Sequence, residues 1–458
     1  MKRLIATLVF ATAFTTILKS QNKQIIYGFD QIPQSLLLNP GAKLNYKYTV
    51  GIPFLSGISI SAGLKGLSVS QIFRADKNNI TAKLLNALNS LTNDDYFQAY
   101  VQTEILSGTY KLDKNNYLSA GFYTEIDVFA KIPKDILLLL SQGNIAFLNK
   151  SFFLSQLNFR ADALGVLHLG LSRKISEKLN IGTRLKLYSG IANIGSTNNL
   201  GSFSTRLGQN NIYTNNLNNV NISAYSSGIY DKNDQAVPIS KLAKRSFLGG
   251  NLGFGFDLGL TYTIDKQTEL TASLLDIGFI SYTKDVRNSE TIGSYEFSGI
   301  EFDFTGTNIN YLQELNDDFS EKVPTRENRK SYSVVRPVKL NVSIKRLWGK
   351  SREIKNCHDI SYNKYFNNAI GVQLFTVARP DGPKMAFTGF YERMLFKGLN
   401  SKLGYTIDDF SYSNISAGLS AKVGKFHLYA GLTNVLKLLD IASAKTASFE
   451  LGFNLLFK

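Results

Sequence analysis

The stretch Asn251 to Ile264 constrains the fold more than any other. Leu252, Phe254, Phe256, Leu258, Leu260, Tyr262 and Ile264 occupy one register; Asn251, Gly253, Gly255, Asp257, Gly259, Thr261 and Thr263 occupy the other. Successive side chains of a strand point to opposite faces, so a wholly apolar register beside a small or polar one marks a strand between two different media. Its length matters as much. Strands in soluble sheets usually run about 5–6 residues, whereas a tilted strand crossing a bilayer needs about 9–11. Asp265-Lys266-Gln267-Thr268 makes a polar turn, after which Leu270, Ala272 and Leu274 resume the alternation. Gly and Thr in the second register suit water or a lumen rather than a packed core, the apolar-out, polar-in dyad of an outer-membrane strand. The expectation is an all-β fold, a transmembrane antiparallel β-barrel.

The same pattern recurs along the chain. Leu157, Phe159, Ala161, Ala163, Gly165, Leu167, Leu169 and Leu171 form one face of a strand, with Arg160, Asp162, His168 and Ser172 on the other. After the turn at Ser176-Glu177-Lys178, Leu179, Ile181, Leu185 and Leu187 alternate with Asn180, Arg184 and Lys186. Val338, Leu340, Val342 and Ile344 alternate with Lys339, Asn341, Ser343 and Lys345. A charge on the lipid face costs about 2–4 kcal/mol at midplane, so Arg160, Asp162, His168, Arg184, Lys186, Asp257, Lys339 and Lys345 are assigned to the lumen.

Tyr46 to Leu64 is taken as one strand, bent at Pro53 and Gly57. With two strands around Asn115, two around Glu177, two around Gln267 and seven from Val338 onward, the count is fourteen. Both termini of such a barrel lie in the periplasm, so the number is even, and twelve and sixteen are the neighbouring possibilities. Short loop helices are expected at 79–93 and after Ile132-Pro133-Lys134-Asp135. The segments 194–245 and 284–336 show little periodicity, apart from an amphipathic piece near Tyr311 to Phe319, and become long outer loops.

The N-terminus has the form of a secretory leader: Lys2 and Arg3, an apolar run from Leu4 to Leu18, and a small residue, Ser20, before Gln21. The apolar run is short of the ~20 residues of a spanning helix, so residues 1–20 are expected to be cleaved. Residues 21–43 carry Pro33 and Pro40, which excludes a central strand. They form either a plug tucked into the barrel mouth, with Asp30, Pro33, Asn39 and Pro40 as its candidate residues, or a frayed terminus. Residues 44–458 are the barrel.

Charge and chemistry narrow the function. The net charge is +16, or +13 without the three cations Lys2, Arg3 and Lys19 of the leader. In an exported barrel such an excess meets lipid phosphates, lipopolysaccharide and acidic partner proteins, and no nucleic-acid motif is present. Cys357 is the only cysteine, so no internal disulfide forms, and Cys357-His358 lacks the second ligand pair of a metal site. Gly253-x-Gly255-x-x-x-Gly259 lies inside a strand, without the spacing or helix of a nucleotide loop. A lumenal Asp162–His168 pair is conceivable as a catalytic couple, but ordinary lumen polarity is the preferred reading. The acidic pairs Asp94-Asp95, Asp317-Asp318 and Asp408-Asp409 read as solvated loop charge rather than calcium ligands. Neither a catalytic constellation nor a cofactor site is expected.

The run Gln31-x-Pro33-x-Ser35-x-Leu37-Leu38-Asn39-Pro40, then Gly51-Ile52-Pro53, then Ile132-Pro133-Lys134-Asp135-Ile136-Leu137 with Gly143-Asn144, then Ala272 to Ile280, is similar to an uncharacterised group of Bacteroidota outer-membrane proteins. That group resembles fatty-acid-channel (FadL-like) barrels and the barrels attached to type IX secretion and gliding machinery (PorV/PorP-like). The resemblance implies a fourteen-strand barrel in a Gram-negative outer membrane and carries no catalytic residue. Three functions are compatible with it, in order of preference. The first is a non-enzymatic accessory subunit of an outer-membrane assembly for protein export, insertion or surface display, with other outer-membrane or periplasmic proteins as partners. The alternative is a channel for hydrophobic small molecules, with an apolar lumenal pocket and a lateral opening at the Pro53–Gly57 bend. An outer-membrane enzyme comes last.

Overall fold

The computed structural model describes residues 23–68, 70–71, 80–208, 213–231, 233, 235–298, 311–350, 366–437 and 443–457. The leader at 1–20 and the Cys357-His358 pair lie outside the described residues.

Fourteen antiparallel strands form one closed wall. They are β1 (Tyr48–Gly51 and Ile58–Leu64), β2 (Phe97–Lys111), β3 (Asn116–Lys131), β4 (Asn158–Lys174), β5 (Leu179–Ser196), β6 (Asn251–Thr263) and β7 (Thr268–Tyr282). The second half comprises β8 (Tyr332–Val335 and Lys339–Lys350), β9 (Phe366–Arg379), β10 (Gly382–Phe396), β11 (Leu399–Ile407), β12 (Asn414–Val423), β13 (Phe426–Leu432) and β14 (Thr446–Phe457). Each pairs with its neighbour in sequence, and β14 closes on β1, with Tyr48 opposite Phe457 and Ile58 opposite Leu451. Closure leaves the wall without a free edge, which a bilayer requires because lipid offers backbone groups no partner.

The alternation in β6 becomes a wall with two faces. Leu252, Phe254, Leu258 and Tyr262 are exposed outward, while Asn251, Asp257, Gly259 and Thr261 are buried inward. At the periplasmic end, Tyr48 stacks on Phe457 with ring centroids 4.4 Å apart, and Tyr110 faces Tyr48 across the sheet. Such aromatics suit the interfacial girdle of a barrel.

Two expectations needed correction. The segments 194–245 and 284–336 are not featureless loops: they carry strands Leu200–Leu207, Tyr213–Ser227, Val286–Phe297 and Thr325–Asn328, which pair with one another above the barrel. Tyr213–Ser227 also pairs with the outer end of β5, through Asn193 opposite Ser227. Their sequences are mostly polar, with scattered buried residues such as Val220, Val286 and Tyr295, so they lack the two-residue hydrophobic period. The lumen, secondly, is a packed core rather than a watery interior. Leu164 and Val166 point inward from β4 and join Tyr123, Tyr188, Ile280, Tyr282, Val286 and Val334 in one cluster. One short helix, α1 (Ser35–Leu38), lies in the lumen, and others sit at the loops: α2 (Ile80–Ser90), α3 (Lys134–Gln142), α4 (Ile239–Arg245) and α5 (Tyr311–Lys322). Lys134 ties α3 to α2 through the Asn89 carbonyl.

Candidate functional site: a plugged lumen beside a bent strand

Residues 23–45 run through the barrel interior, and the wall holds their backbone carbonyls one by one. Lys402 donates to the Tyr27 carbonyl at 2.7 Å, Lys345 to Gly28 at 3.0 Å, and Arg184 to both Leu36 and Leu37. Ser273 donates to Leu38 at 2.6 Å, Thr261 to Gly41 at 2.8 Å and Asn180 to Gly41 at 2.9 Å. A segment with two prolines and few internal hydrogen bonds otherwise leaves carbonyls unsatisfied, and buried carbonyls need partners.

The candidate plug residues fall into two places. Asp30 forms an ion pair with Lys345 at 2.7 Å, and Lys345 also reaches Glu269 at 3.4 Å. Pro33 accepts the Leu36 N–H at the start of α1, where a proline costs no helical hydrogen bond. Asn39 accepts the Gly41 N–H and donates to the Leu260 carbonyl at 3.1 Å, which seats Asn39-Pro40-Gly41 flat against the wall. Gly259 and Gly182 make this approach possible. A Cβ on Gly259 would collide with Asn39 Oδ1, and one on Gly182 with the Pro40 carbonyl.

Above the plug, ion pairs fill the lumen. Asp257 lies between Arg184 at 3.1 Å and Lys186 at 2.9 Å. Asp276 lies between Lys186 at 2.6 Å and Lys339 at 2.8 Å. Further up, Arg336 pairs with Glu125 and lies 3.8 Å from Asp162, which Arg160 holds at 2.7 Å. Arg379 pairs with Asp127 at 2.9 Å. The structure thus brings Arg184, Lys186, Asp257 and Lys339 into one chain of charges, places Arg160 and Asp162 in a second, and Lys345 in a third at Asp30.

Asp162 and His168 do not form a couple. Six residues along one strand separate them by roughly 20 Å. His168 packs against the Tyr123 ring at 5.8 Å, and Asp162 binds Arg160 and Asn193. The acidic pairs are used in local contacts instead: Asp95 accepts the Thr92 N–H, Asp408 those of Phe410 and Ser411, and Asp318 pairs with Lys322 at 2.8 Å.

Asp276, Glu125, Asp127, Arg336 and Arg379 were not among the residues singled out in the sequence. Glu125 and Asp127 flank the outward Ile126 in β3 and were legible by the parity that marks Asp257. Asp276 was hidden by a bulge. The register of β6 and β7 shifts between Phe256 and Leu258, and Asp276 takes a φ of 62°. Leu275 and Asp276, adjacent in sequence, are consequently both buried inside. A bulge re-aims a side chain in this way, and simple alternation misses it.

The wall itself is bent beside the plug. From Gly51 to Ile58 β1 advances seven residues while its partner β14 advances three, Asn454 to Leu451, so four extra residues buckle out of the sheet. Phe54 and Leu55 project toward lipid, 60% and 44% exposed, and Ser56 turns fully inward. The buckle stays hydrogen-bonded to both neighbours, with Phe54 donating to the Ile105 carbonyl at 3.3 Å and Phe453 to that of Leu55 at 2.9 Å. Behind it lies a cavity about the size of one water molecule. Plug residues Lys23, Ile26, Gln34 and Leu37 line it together with Tyr429 and Glu450. Among the described residues, both carboxylate oxygens of Glu450 lack a hydrogen-bond partner. Among the described residues, no open apolar pocket lies behind the buckle; Lys23, Ile26, Gln34 and Leu37 stand there.

Geometry of this kind defines a class: a closed outer-membrane-type β-barrel whose interior holds residues 23–45. The chain belongs to a family of unknown function, DUF5723, whose pattern matches residues 40–432. No functionally curated protein matches it in sequence. Among solved structures it is similar to the Ralstonia pickettii toluene transporter TbuX, with 11% identity, 93% of this chain and 94% of that one covered, and a TM-score of 0.42. It is similar also to the Pseudomonas putida toluene transporter TodX, at 10% identity, 93% and 92% coverage and a TM-score of 0.40. A Pseudomonas aeruginosa FadL homologue matches at 8% identity, 94% and 96% coverage and a TM-score of 0.43.

Proposed function

We propose that the protein is a gated channel of the Gram-negative outer membrane for hydrophobic small molecules, exported with its leader cleaved near Ser20-Gln21. The observation that carries this reading is the buckle at 52–57, which faces lipid on one side and the plug on the other. A continuous strand would satisfy the backbone at lower cost, since each break in a membrane ladder must be repaired by other partners. A solute partitioned in the outer leaflet meets Phe54 and Leu55 first, and withdrawal of Ile26 and Leu37 opens a route behind Gly57. The subunit reading, ranked first on the sequence alone, gains no support from the barrel or its relatives, and the alternative takes its place.

The test is uptake of a radiolabelled hydrophobic solute by cells producing either the native protein or a variant in which four residues of 52–57 are removed to straighten β1. The native protein is expected to accelerate uptake over cells lacking it, and the straightened barrel, recovered folded in the membrane, to lose most of that gain. Equal uptake by native and straightened barrels removes the buckle from the route.

A further inference from the structure

We infer that residues 239–250 form a lipid-phosphate docking surface on the outside of the barrel, at the rim of the outer leaflet. The segment departs from the strand Tyr213–Ser227, makes α4, and returns to begin β6 at Asn251. On the way it folds over the outward face of the wall. Phe247 meets Phe122 edge-to-face, ring centroids 5.2 Å apart and planes at 86°. Phe122 alternates with Tyr123, which belongs to the lumenal cluster, so its ring faces out. Gly165 shares parity with the exposed Leu167, Leu169 and Leu171, and a Cβ there would strike the Ser246 backbone. Ser189 has the parity of the outward Leu185 and Leu187, yet it is buried, donating at 2.6 Å to the Arg245 carbonyl.

The start of β6 fixes the height of the segment. Leu252 and Phe254, directly after it in the chain, already belong to the exposed lipid-facing band. The segment therefore borders that band, and its composition suits the position: Ile239 is 83% and Phe247 58% exposed, beside Lys241, Lys244 and Arg245. Lys284 joins them by donating to the Gly249 carbonyl at 3.1 Å. Asp285 pairs with Arg245, itself buried, and with Lys241 at 3.4 Å. Asp285 fixes two cations in place without cancelling the set, and Lys244 stands exposed. Apolar side chains that enter the acyl boundary, next to an excess of positive charge, are the features by which interfacial elements hold anionic headgroups. The occupant is a phosphate-bearing lipid of the outer leaflet.

A single-tryptophan protein, Trp348→Phe with Phe247→Trp, tests this in vesicles. Phosphatidylcholine or phosphatidylglycerol is brominated on its upper acyl carbons, and tryptophan quenching reports which lipid contacts position 247. Both lipids are expected to quench. At equal mole fraction the anionic lipid quenches more, through an enrichment of roughly fivefold per engaged cation. Adding Lys244→Glu and Lys241→Gln brings its quenching down toward that of phosphatidylcholine. Absence of quenching by either lipid places the segment away from the bilayer and overturns the proposal. Equal quenching by both before the charge changes leaves an apolar contact without a phosphate site, and overturns it as well. Tryptophan shielded by a second copy of the chain, detected by cross-linking from position 247, does so too. The heat-modifiable mobility of folded barrels confirms that each variant is folded, and the first comparison needs no charge change.

Discussion

Asp257 shows how one side chain ties wall, lumen and plug together. It holds Arg184 and Lys186, and Arg184 in turn holds the Leu36 and Leu37 carbonyls of the plug. Its other oxygen accepts the Asp276 N–H at 2.7 Å, fixing the bulge that aims Asp276 inward. Removing one member of a buried ion pair leaves the partner charge uncompensated, a loss of about 3–5 kcal/mol. Asp257→Ala leaves Arg184 without its carboxylate, while Lys186 keeps Asp276, and is expected to lose about that much in denaturant unfolding of the refolded barrel. Asp257→Asn keeps the hydrogen bond to the Asp276 N–H and should lose less. Equal unfolding midpoints for native protein and Asp257→Ala would mean that lumenal water already screens the pair. Gly182 and Gly259 act on the same contact from the wall, where the missing side chains let the Asn39-Pro40-Gly41 backbone lie directly on β5 and β6.

At the scale of elements, two of the periplasmic turns are built by aspartate, while Ser176 accepts the Lys178 and Leu179 N–H groups in a third. Asp265 accepts the backbone N–H groups of Gln267 and Thr268 at 2.7 and 2.8 Å and the Thr268 hydroxyl at 3.0 Å. Asp113 does the same for Asn115 and Asn116. The backbone N–H of Gln267 and the Thr268 hydroxyl hold the Asp265 carboxyl below the usual carboxylate range. A depressed carboxylate stabilises the folded state above its unfolded pKa, about 3.9, and that contribution is lost as pH falls through the lower folded value. The stability difference between native protein and Asp265→Ala should thus be present at pH 7 and shrink as pH falls below the unfolded value through the lower folded one. A difference unchanged across that range would assign the effect to turn geometry alone. These elements also show what the sequence carries. The β6–β7 hairpin, its turn and the even strand count were legible because lipid on one face enforces an unbroken two-residue period. The buckle in β1 announced itself through Pro53 and Gly57. The bulge at Asp276 and the pairing of Arg336 with Glu125, 211 residues away in sequence, were not, since alternation assigns a face and says nothing of the partner across the lumen. The upper strands at 200–227 and 286–297 escaped for the opposite reason, standing clear of lipid and having no period to read.

The whole molecule is governed by a mismatch between circumference and content. Side chains alone just fill a barrel of about eight strands, whereas sixteen to eighteen leave an aqueous channel. Fourteen strands lie between those limits, and the interior here is completed by chain as well as side chains. Residues 23–45 occupy the half nearer the periplasm, and the Tyr123–Tyr188–Tyr282 cluster lies above Leu37. Excising 23–45 removes the lower filling and leaves Arg184, Lys345 and Lys402 without their plug carbonyls, though each keeps a wall carboxylate, Asp257, Glu269 and Glu392 respectively. The barrel wall has its own closed hydrogen-bond ladder and is expected to fold without the segment. In planar bilayers the native protein should be electrically quiet, and the excised form should conduct in discrete steps. Their selectivity should be weak, because the lumen then lines up cations with carboxylates rather than one sign of charge. Silence from a folded, excised barrel would mean that the aromatic and aliphatic cluster seals the lumen unaided. The plug would then be a brace for the wall rather than a gate.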